Sequence, residues 1–180
     1  MIGIPLGLLT ANAFEWFAHK YVLHGLGKNP NSYWRMHWDH HKAARLNNFK
    51  DDNYQASLWN WNPHTKEALA LLGISILVIP LYPVAPFFTG TLHYCAINYY
   101  RKHKRCHLDT EWGKKNMPWH YDHHMSKDQN KNWCVTRPLF DYVMKTRIQS
   151  QSIEQENNIF GHPMIDRLNT FIQSHLFRNK

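Results

Sequence analysis

Two nearly identical phrases constrain this chain more than anything else in it. Trp34-Arg35-Met36-His37-Trp38-Asp39-His40-His41-Lys42 is answered about eighty residues later by Trp119-His120-Tyr121-Asp122-His123-His124-Met125. In each, three histidines fall at i, i+3 and i+4, so on a helix all three share one face. Imidazole is the commonest protein metal ligand, and such a triplet can aim several ring nitrogens at one point. A fold that satisfies both phrases brings two helices together face to face and holds metal between them.

Two further histidine pairs join these arrays. His103 and His107 are one turn apart, a spacing suited to a shared metal. His19 and His24 are five apart, about 140° around an α-helix, so a regular helix cannot put both on one face. They serve two different metals, or one centre if the last turn unwinds. The metal candidates are therefore His19, His24, His37, His40, His41, His103, His107, His120, His123 and His124, ten of the chain's fourteen histidines. His64, His93, His162 and His175 fall outside the clusters and are read as ordinary. Ten imidazoles exceed what one tetrahedral or octahedral ion accepts, so at least two metals are implied. All-imidazole ligation suits iron, zinc, copper or nickel and argues against calcium and magnesium, which take oxygen. Asp39 and Asp122, at matching places in the two phrases, are candidates to accept the outer N–H of a ligating ring. Capping, a lysine partner or plain solvation are equally open to them.

Hydrophobic patterning gives an all-α reading with a membrane question attached. Residues 1–18 are mostly apolar and make either a borderline membrane span, completed by His19 to Leu23, or a buried core helix, with a stop near Gly25 and Gly27. Asn29 to Ser32 form a turn whose side chains can cap the helix of the first triplet. Leu46 to Asn62 reads as an irregular connection or a short interfacial helix, with Trp59 and Trp61 suited to a lipid–water boundary. Ala68–Leu81 and the run resuming at Phe87 flank Pro80, Pro83 and Pro86, which reads as a helical hairpin. It either enters the membrane, fully or into one leaflet, or makes a soluble core hairpin. The second arm continues through Tyr99 to Lys102 and carries His103 and His107 on its basic end. Leu108 to Pro118 reads as a polar link, and a short helix runs to Thr146. Residues 149–161 read as a loop. Ile165, Leu168, Phe171, Ile172 and Leu176 mark a C-terminal amphipathic helix that lies on a membrane or covers a core.

Charge and cysteine content narrow the partners. The formal charge is +8 and the pI about 9.4, but the basic residues are scattered and no nucleic-acid-binding signature accompanies them. An anionic membrane surface is the better partner, and none is expected in nucleic acid. Cys95, Cys106 and Cys134 are odd in number and lack a C-x-x-C pair, which argues against a disulfide framework and for a reducing compartment. No cleavable signal is expected at Met1.

Taken in order, H-x4-H, H-x2-H-H, H-x3-H and H-x2-H-H resemble the fatty acid hydroxylase superfamily, which includes fatty acid 2-hydroxylases, sterol desaturases and oxidases, and carotenoid hydroxylases. Asn132-Trp133-Cys134-Val135-Thr136-Arg137-Pro138-Leu139-Phe140-Asp141 is similar to the N-x-G-V-T-x-P-L-x-D stretch that often follows the last histidine box there. Cys134 stands where that stretch often has glycine, and Met144-Lys145-Thr146 replaces a usual F-G-T. The likeness covers about Glu15 to Thr146. The phrase from His19 to Gly25 looks most like the carotenoid branch and the segment from Asn132 more like the lipid and sterol branch, which leaves the substrate open.

The resemblance implies a membrane-embedded helical bundle with a dimetal site facing the cytosol. Residues 1–148 would form the membrane-associated oxygenase domain, followed by the loop and amphipathic helix of 149–180. It implies two iron ions in the working state, with zinc able to occupy the site in purified protein. The activity would be O2-dependent hydroxylation or desaturation of an acyl chain, sterol or carotenoid, with the ten histidines as ligands. Electrons would come from an external cytochrome b5-like or ferredoxin-like donor, since neither G-x-G-x-x-G nor H-P-G-G is present. A zinc metallohydrolase and a non-catalytic metal-binding membrane protein are the rival readings. The first lacks H-E-x-x-H and any obvious catalytic carboxylate outside the boxes.

Overall fold

Asn62 opens the strongest apolar helix by a conventional device: its side-chain oxygen accepts the Thr65 N–H at 2.9 Å, and Pro63 occupies the first helical position. The computed structural model describes residues 2–149, which are helical with no strand among them. The helices are α1 (Gly3–Phe17), α2 (Arg35–Leu46), α3 (Pro63–Val78), α4 (Pro86–Leu108), α5 (Thr110–Asn116), α6 (Pro118–Met125) and α7 (Leu139–Val143). They belong to a compact unit, Met1–Ile148. From residue 150 onward the expected loop and amphipathic helix, with His162 and His175, lie outside the described residues.

The apolar runs do form a helical hairpin. A short 3-10 turn, Ile79–Leu81, follows α3, and Pro86 starts α4, where its missing N–H costs nothing. Helix α4 then continues unbroken to Leu108 and so delivers His103 and His107 on its last two turns. Three local expectations need correction. Asn29 and Ser32 do not cap α2: they accept the N–H groups of Asn31 and Trp34 and fold the turn itself. The polar link after Leu108 contains α5, because Asp109 accepts the Trp112 N–H at 3.0 Å and caps a helix there. The N-terminal helical run ends near Gly25 and Gly27 as expected, but it does not stay α-helical to that point, and no described glycine has positive φ. It widens into a π-helix over Ala18–Gly25 and then tightens into a 3-10 turn over Leu26–Lys28. Leu46 to Asn62 holds a single 3-10 turn, Asp52–Gln55.

Helix α1 lies along α4, and glycine makes the approach possible. A Cβ on Gly3 would come within 2.8 Å of the Phe88 nitrogen, and one on Gly7 within 2.8 Å of Thr91 Cβ. The two are one turn apart on the same face.

Burial is distributed inside out. The interior is rich in imidazole, while many apolar residues of α1, α3 and the first half of α4 point outward, among them Leu6 (53% exposed), Leu72 (55%) and Phe87 (57%). Among the described residues one helical segment, Pro63–Leu81, is long and apolar enough to cross a membrane. A small apolar cluster of Trp16, Trp133 and Cys134, with Phe140 against it, ties α1 to the segment after α6.

The α1–α4 contact makes a direct test. Gly7→Ala should lower stability by about 1–3 kcal/mol through overpacking. Gly90→Ala, whose Cβ meets nothing within 4 Å, should be neutral or stabilise by up to about 1 kcal/mol from reduced backbone entropy. Thermal unfolding of the two variants side by side reads the difference, and equal melting temperatures would remove the close-contact role of Gly7.

Candidate metal centre

The two histidine triplets meet, and each divides between two groups. Ring nitrogens of His19, His24, His37, His41 and His123 all lie within 4.8 Å of one another. Those of His40, His103, His107 and His124 do the same. The first triplet thus sends His37 and His41 one way and His40 the other, and the second splits as His123 and His124. His120 stands at the edge of the second group, its Nε2 3.2 Å from that of His107 and grouped with His107 and Cys106. Helices α2 and α6 run side by side across both groups, and the rings of His41 and His124 stack at 4.0 Å between them.

The π-helix resolves the awkward spacing of the first pair. A backbone bonded i to i+5 turns less per residue than an α-helix, so His19 and His24, five apart, come back close to the same face. Both join the five-histidine group, their ring centroids 5.1 Å apart. The sequence alternative of two separate metals for this pair does not match that placement.

Five of the rings have their tautomer set by partners that can only accept. His19 Nδ1 donates to the Trp133 carbonyl at 2.5 Å, His107 Nδ1 to that of Phe49 at 2.7 Å, and His123 Nδ1 to that of Lys131 at 2.6 Å. His40 Nδ1 donates to Asp51 Oδ2 at 2.6 Å and His103 Nδ1 to Glu67 Oε1 at 2.5 Å. A neutral imidazole carries one N–H, so each of these five turns an Nε2 lone pair inward. In the first group the ring nitrogens crowd: His37 Nε2 is 2.8 Å from His19 Nε2 and 3.0 Å from His41 Nε2, and His123 Nε2 is 3.1 Å from His24 Nε2. In the second, His40 Nε2, His103 Nε2 and both nitrogens of His124 are buried with no hydrogen-bond partner.

This chemistry fits a metal. Ions bound at about 2.1 Å hold their ligand atoms roughly 3–4 Å apart, compatible with the spacing in each group. Inward lone pairs without donors are what a Lewis acid satisfies, whereas buried orphan polar atoms are otherwise costly. Burial also favours the neutral form of eight of the rings. It pushes the pKa of His24 down to about 2 and that of His123 to about 4, and drives those of His19, His37, His41, His107, His120 and His124 well below the ordinary value, neighbouring imidazoles adding to the effect.

Of the two carboxylates in the repeated phrases one, Asp39, lies away from the rings, and two carboxylates outside the phrases bond to rings. Asp39 is exposed and pairs with Arg35 at 3.5 Å, one turn back on the same helix. Asp122 is buried, with Arg147 Nη1 3.7 Å away. Asp51, just after α2, bonds to His40, and Glu67 on α3 bonds to His103. Glu67 also accepts the Tyr54 hydroxyl at 2.6 Å. Neither sits in a histidine phrase. The one sequence signal was a pair of carboxylates next to otherwise aromatic or apolar stretches. His64 and His93 stay outside both groups, His64 bonded to the Tyr100 hydroxyl at 2.6 Å and His93 to the Thr89 carbonyl.

The segment after α6 is fastened to α1. Glu15 accepts the N–H groups of Val135 (3.2 Å) and Thr136 (3.0 Å) and the Thr136 hydroxyl (2.6 Å). Asn12 donates to the Arg137 carbonyl and accepts the Phe140 N–H. Asp141 accepts the N–H groups of Trp133 and Cys134. These bonds fix the Trp133 carbonyl that orients His19.

Above the two groups opens a cleft of about 640 Å³. Its walls come from α1, α3 and α4 and are almost wholly apolar. Its floor includes His19 and His37 of one group and His40 and His103 of the other, with Tyr54 and Glu67 beside them.

The family model described as "Fatty acid hydroxylase" matches residues 4–146. Comparison with curated proteins and with solved structures returns no match.

Two measurements test the arrangement. Asp51→Asn and Glu67→Gln should each weaken metal retention about 10–100-fold, while Asp39→Asn leaves it unchanged; metal analysis against a graded chelator reads this, and equal loss in all three would sink the assignment. The depressed histidine pKa values also give a pH signature. The unfolded chain's rings take up protons near 6.5, the folded His123 only near about 4 and His24 near about 2. The folded state therefore binds fewer protons in that window. Melting temperature of the chelator-treated protein should be level above pH 6.5 and fall steadily toward pH 4. A level profile across that range would contradict it.

Proposed function

The chain belongs to the fatty acid hydroxylase family, and on that premise we propose that it is a membrane-embedded, O2-dependent oxygenase that hydroxylates or desaturates a lipid chain with two iron ions. The observation carrying the proposal is the juxtaposition of two imidazole groups with the floor of an apolar cleft. His19, His24, His37, His41 and His123 would hold one ion, and His40, His103, His107 and His124, with His120 at the edge, the other. Two irons supply what zinc lacks: redox chemistry that inserts oxygen into, or removes hydrogen from, an unactivated C–H bond, with external electrons and protons reducing the remaining oxygen to water.

The chain's own residues do the rest. Asp51, Glu67 and the carbonyls of Phe49, Lys131 and Trp133 hold the rings in one tautomer, so the ligand set is in place before any substrate arrives. The cleft walls take up an apolar chain and keep water from the floor, where a reacting carbon lies against side chains from both groups.

The surface supports the placement in a membrane. The segment Pro63–Leu81 is 19 residues, about 28 Å of helix, against a hydrocarbon core of ~30 Å. No charged residue lies between Glu67 and Arg101, so the tip of the hairpin and the adjoining parts of both arms are free of charge. Exposed Trp59 and Trp61 precede α3 at the histidine end, where aromatic rings suit the interface. Lys66, Arg101, Lys102, Lys104 and Arg105 sit at that same end, which the positive-inside tendency puts in the cytosol. A basic face there also suits an acidic electron carrier of the cytochrome b5 or ferredoxin kind.

Lipid profiles of cells expressing the wild type, His40→Ala and His123→Ala, grown with and without O2, test this. A hydroxylated or unsaturated product should appear only with wild type and O2, and iron should fall in both purified variants. A product formed equally without O2 would favour a hydrolase. An unchanged lipid profile, with metal bound, would favour a binding protein.

A further inference from the structure

Pro63, Glu67, Ala70, Ile74 and Leu77 line the cleft and recur every three or four residues, which makes them one face of α3. Gly73 flanks that face, between Ala70 and Leu77, and lines the cleft too. Packing does not demand a glycine here. Gly3, Gly7, Gly27 and Gly113 would each drive a Cβ to within 2.7–2.8 Å of a neighbour, whereas one on Gly73 meets no atom within 4 Å. In a helix interior glycine costs about 0.5–1 kcal/mol against alanine. What its bare backbone leaves is a gap in the cleft wall. Gly90 is as open but is exposed on α4 and does not line the cleft. The gap lies six residues beyond Glu67, about 9 Å along the axis from the residue whose carboxylate touches His103.

We propose that Gly73 is the specificity-determining position of the cleft: it holds the α3 wall open about 9 Å of helix beyond the Glu67 backbone, so that a long hydrocarbon chain extends past it. The inference rests on the lipid-oxygenase reading above. It assigns the substrate as a molecule whose apolar chain continues well beyond the reacting carbon, and it makes Gly73 the point where chain length and bulk are read. Leu72 is next to it but is 55% exposed on the outer side of α3 and does not line the cleft.

Binding of cis-parinaric acid, a long polyene fatty acid that brightens in apolar surroundings, tests this on the purified full chain in nanodiscs. Gly73→Ala, Gly73→Leu and Gly73→Phe form a graded series, and Leu72→Phe adds the same bulk facing away. Wild type should bind saturably, Gly73→Ala within about twofold and Leu72→Phe unchanged. Gly73→Leu should bind more weakly and Gly73→Phe at least tenfold more weakly, with metal content equal throughout as a readout of folding. In cells the products of Gly73→Leu should shift toward shorter chains. Equal binding across the Gly73 series would overturn the role of Gly73 while leaving the lipid reading standing. Absence of saturable binding by wild type, with its metal retained, would overturn the lipid reading itself. Loss of metal from Gly73→Phe would overturn the claim that the position is free of packing duty, and Gly73→Leu then carries the binding comparison.

Discussion

Burying ten imidazoles in one interior is the constraint that the rest of this structure serves. A neutral ring offers one donor and one acceptor, and a buried donor without a partner costs about 1–3 kcal/mol. For five of the ten the chain meets this by turning N–H groups outward onto oxygens that cannot donate back. Those oxygens come from separate places: the Phe49, Lys131 and Trp133 carbonyls, Asp51 and Glu67. Phe49 shows what is spent to achieve it. Its φ of 77° is left-handed, unfavourable for a bulky residue, and is held by complete burial of the ring against His107 and Tyr121.

The same need explains why the two ends of the unit are bound to each other. His19 sits where α1 gives way to the π-helix, but the carbonyl that orients it belongs to Trp133, over a hundred residues later. Asn12 and Glu15 grip the later segment, Trp16 donates to Thr146, and Asp141 closes the segment on itself. The motif from Asn132 to Asp141 is thus the outer brace of the first histidine pair. Cys134 takes part with its backbone N–H and is fully buried.

The histidine sets, the hairpin and the continuation of α4 into its basic end were legible because each rests on local periodicity. What was not legible depends on contacts distant in sequence or on unusual backbone. An α-helical rule separates His19 from His24 by about 140°, and only the i to i+5 bonding of Ala18–Gly25 brings them together. Asp39 and Asp122 drew attention by repetition, yet the residue after His37-Trp38 on a helix faces away from a face set by positions 37, 40 and 41, so Asp39 goes to solvent. Asp51 and Glu67 carry no repeat, and only the approach of the chain after α2, and of α3, makes them partners of His40 and His103. Asp109 was a missed cap of the ordinary kind, and it concealed α5.

The distribution of apolar surface bears on what stabilises such a unit. Its buried apolar side chains, such as Phe49, Met117, Trp119 and the cluster of Trp16, Trp133 and Cys134, share the interior with the histidines, while many leucines and isoleucines of α1, α3 and α4 face outward. In water that arrangement forfeits most of the hydrophobic free energy on which a soluble domain depends. On the proposed reading two other sources replace it. Lipid covers the outer face, where backbone groups are already satisfied within helices. Metal occupies the interior, where its binding free energy becomes folding free energy because the ligand set does not exist in the unfolded chain. Stability and catalytic competence then rest on the same ten rings, so a change that loosens their orientation costs both.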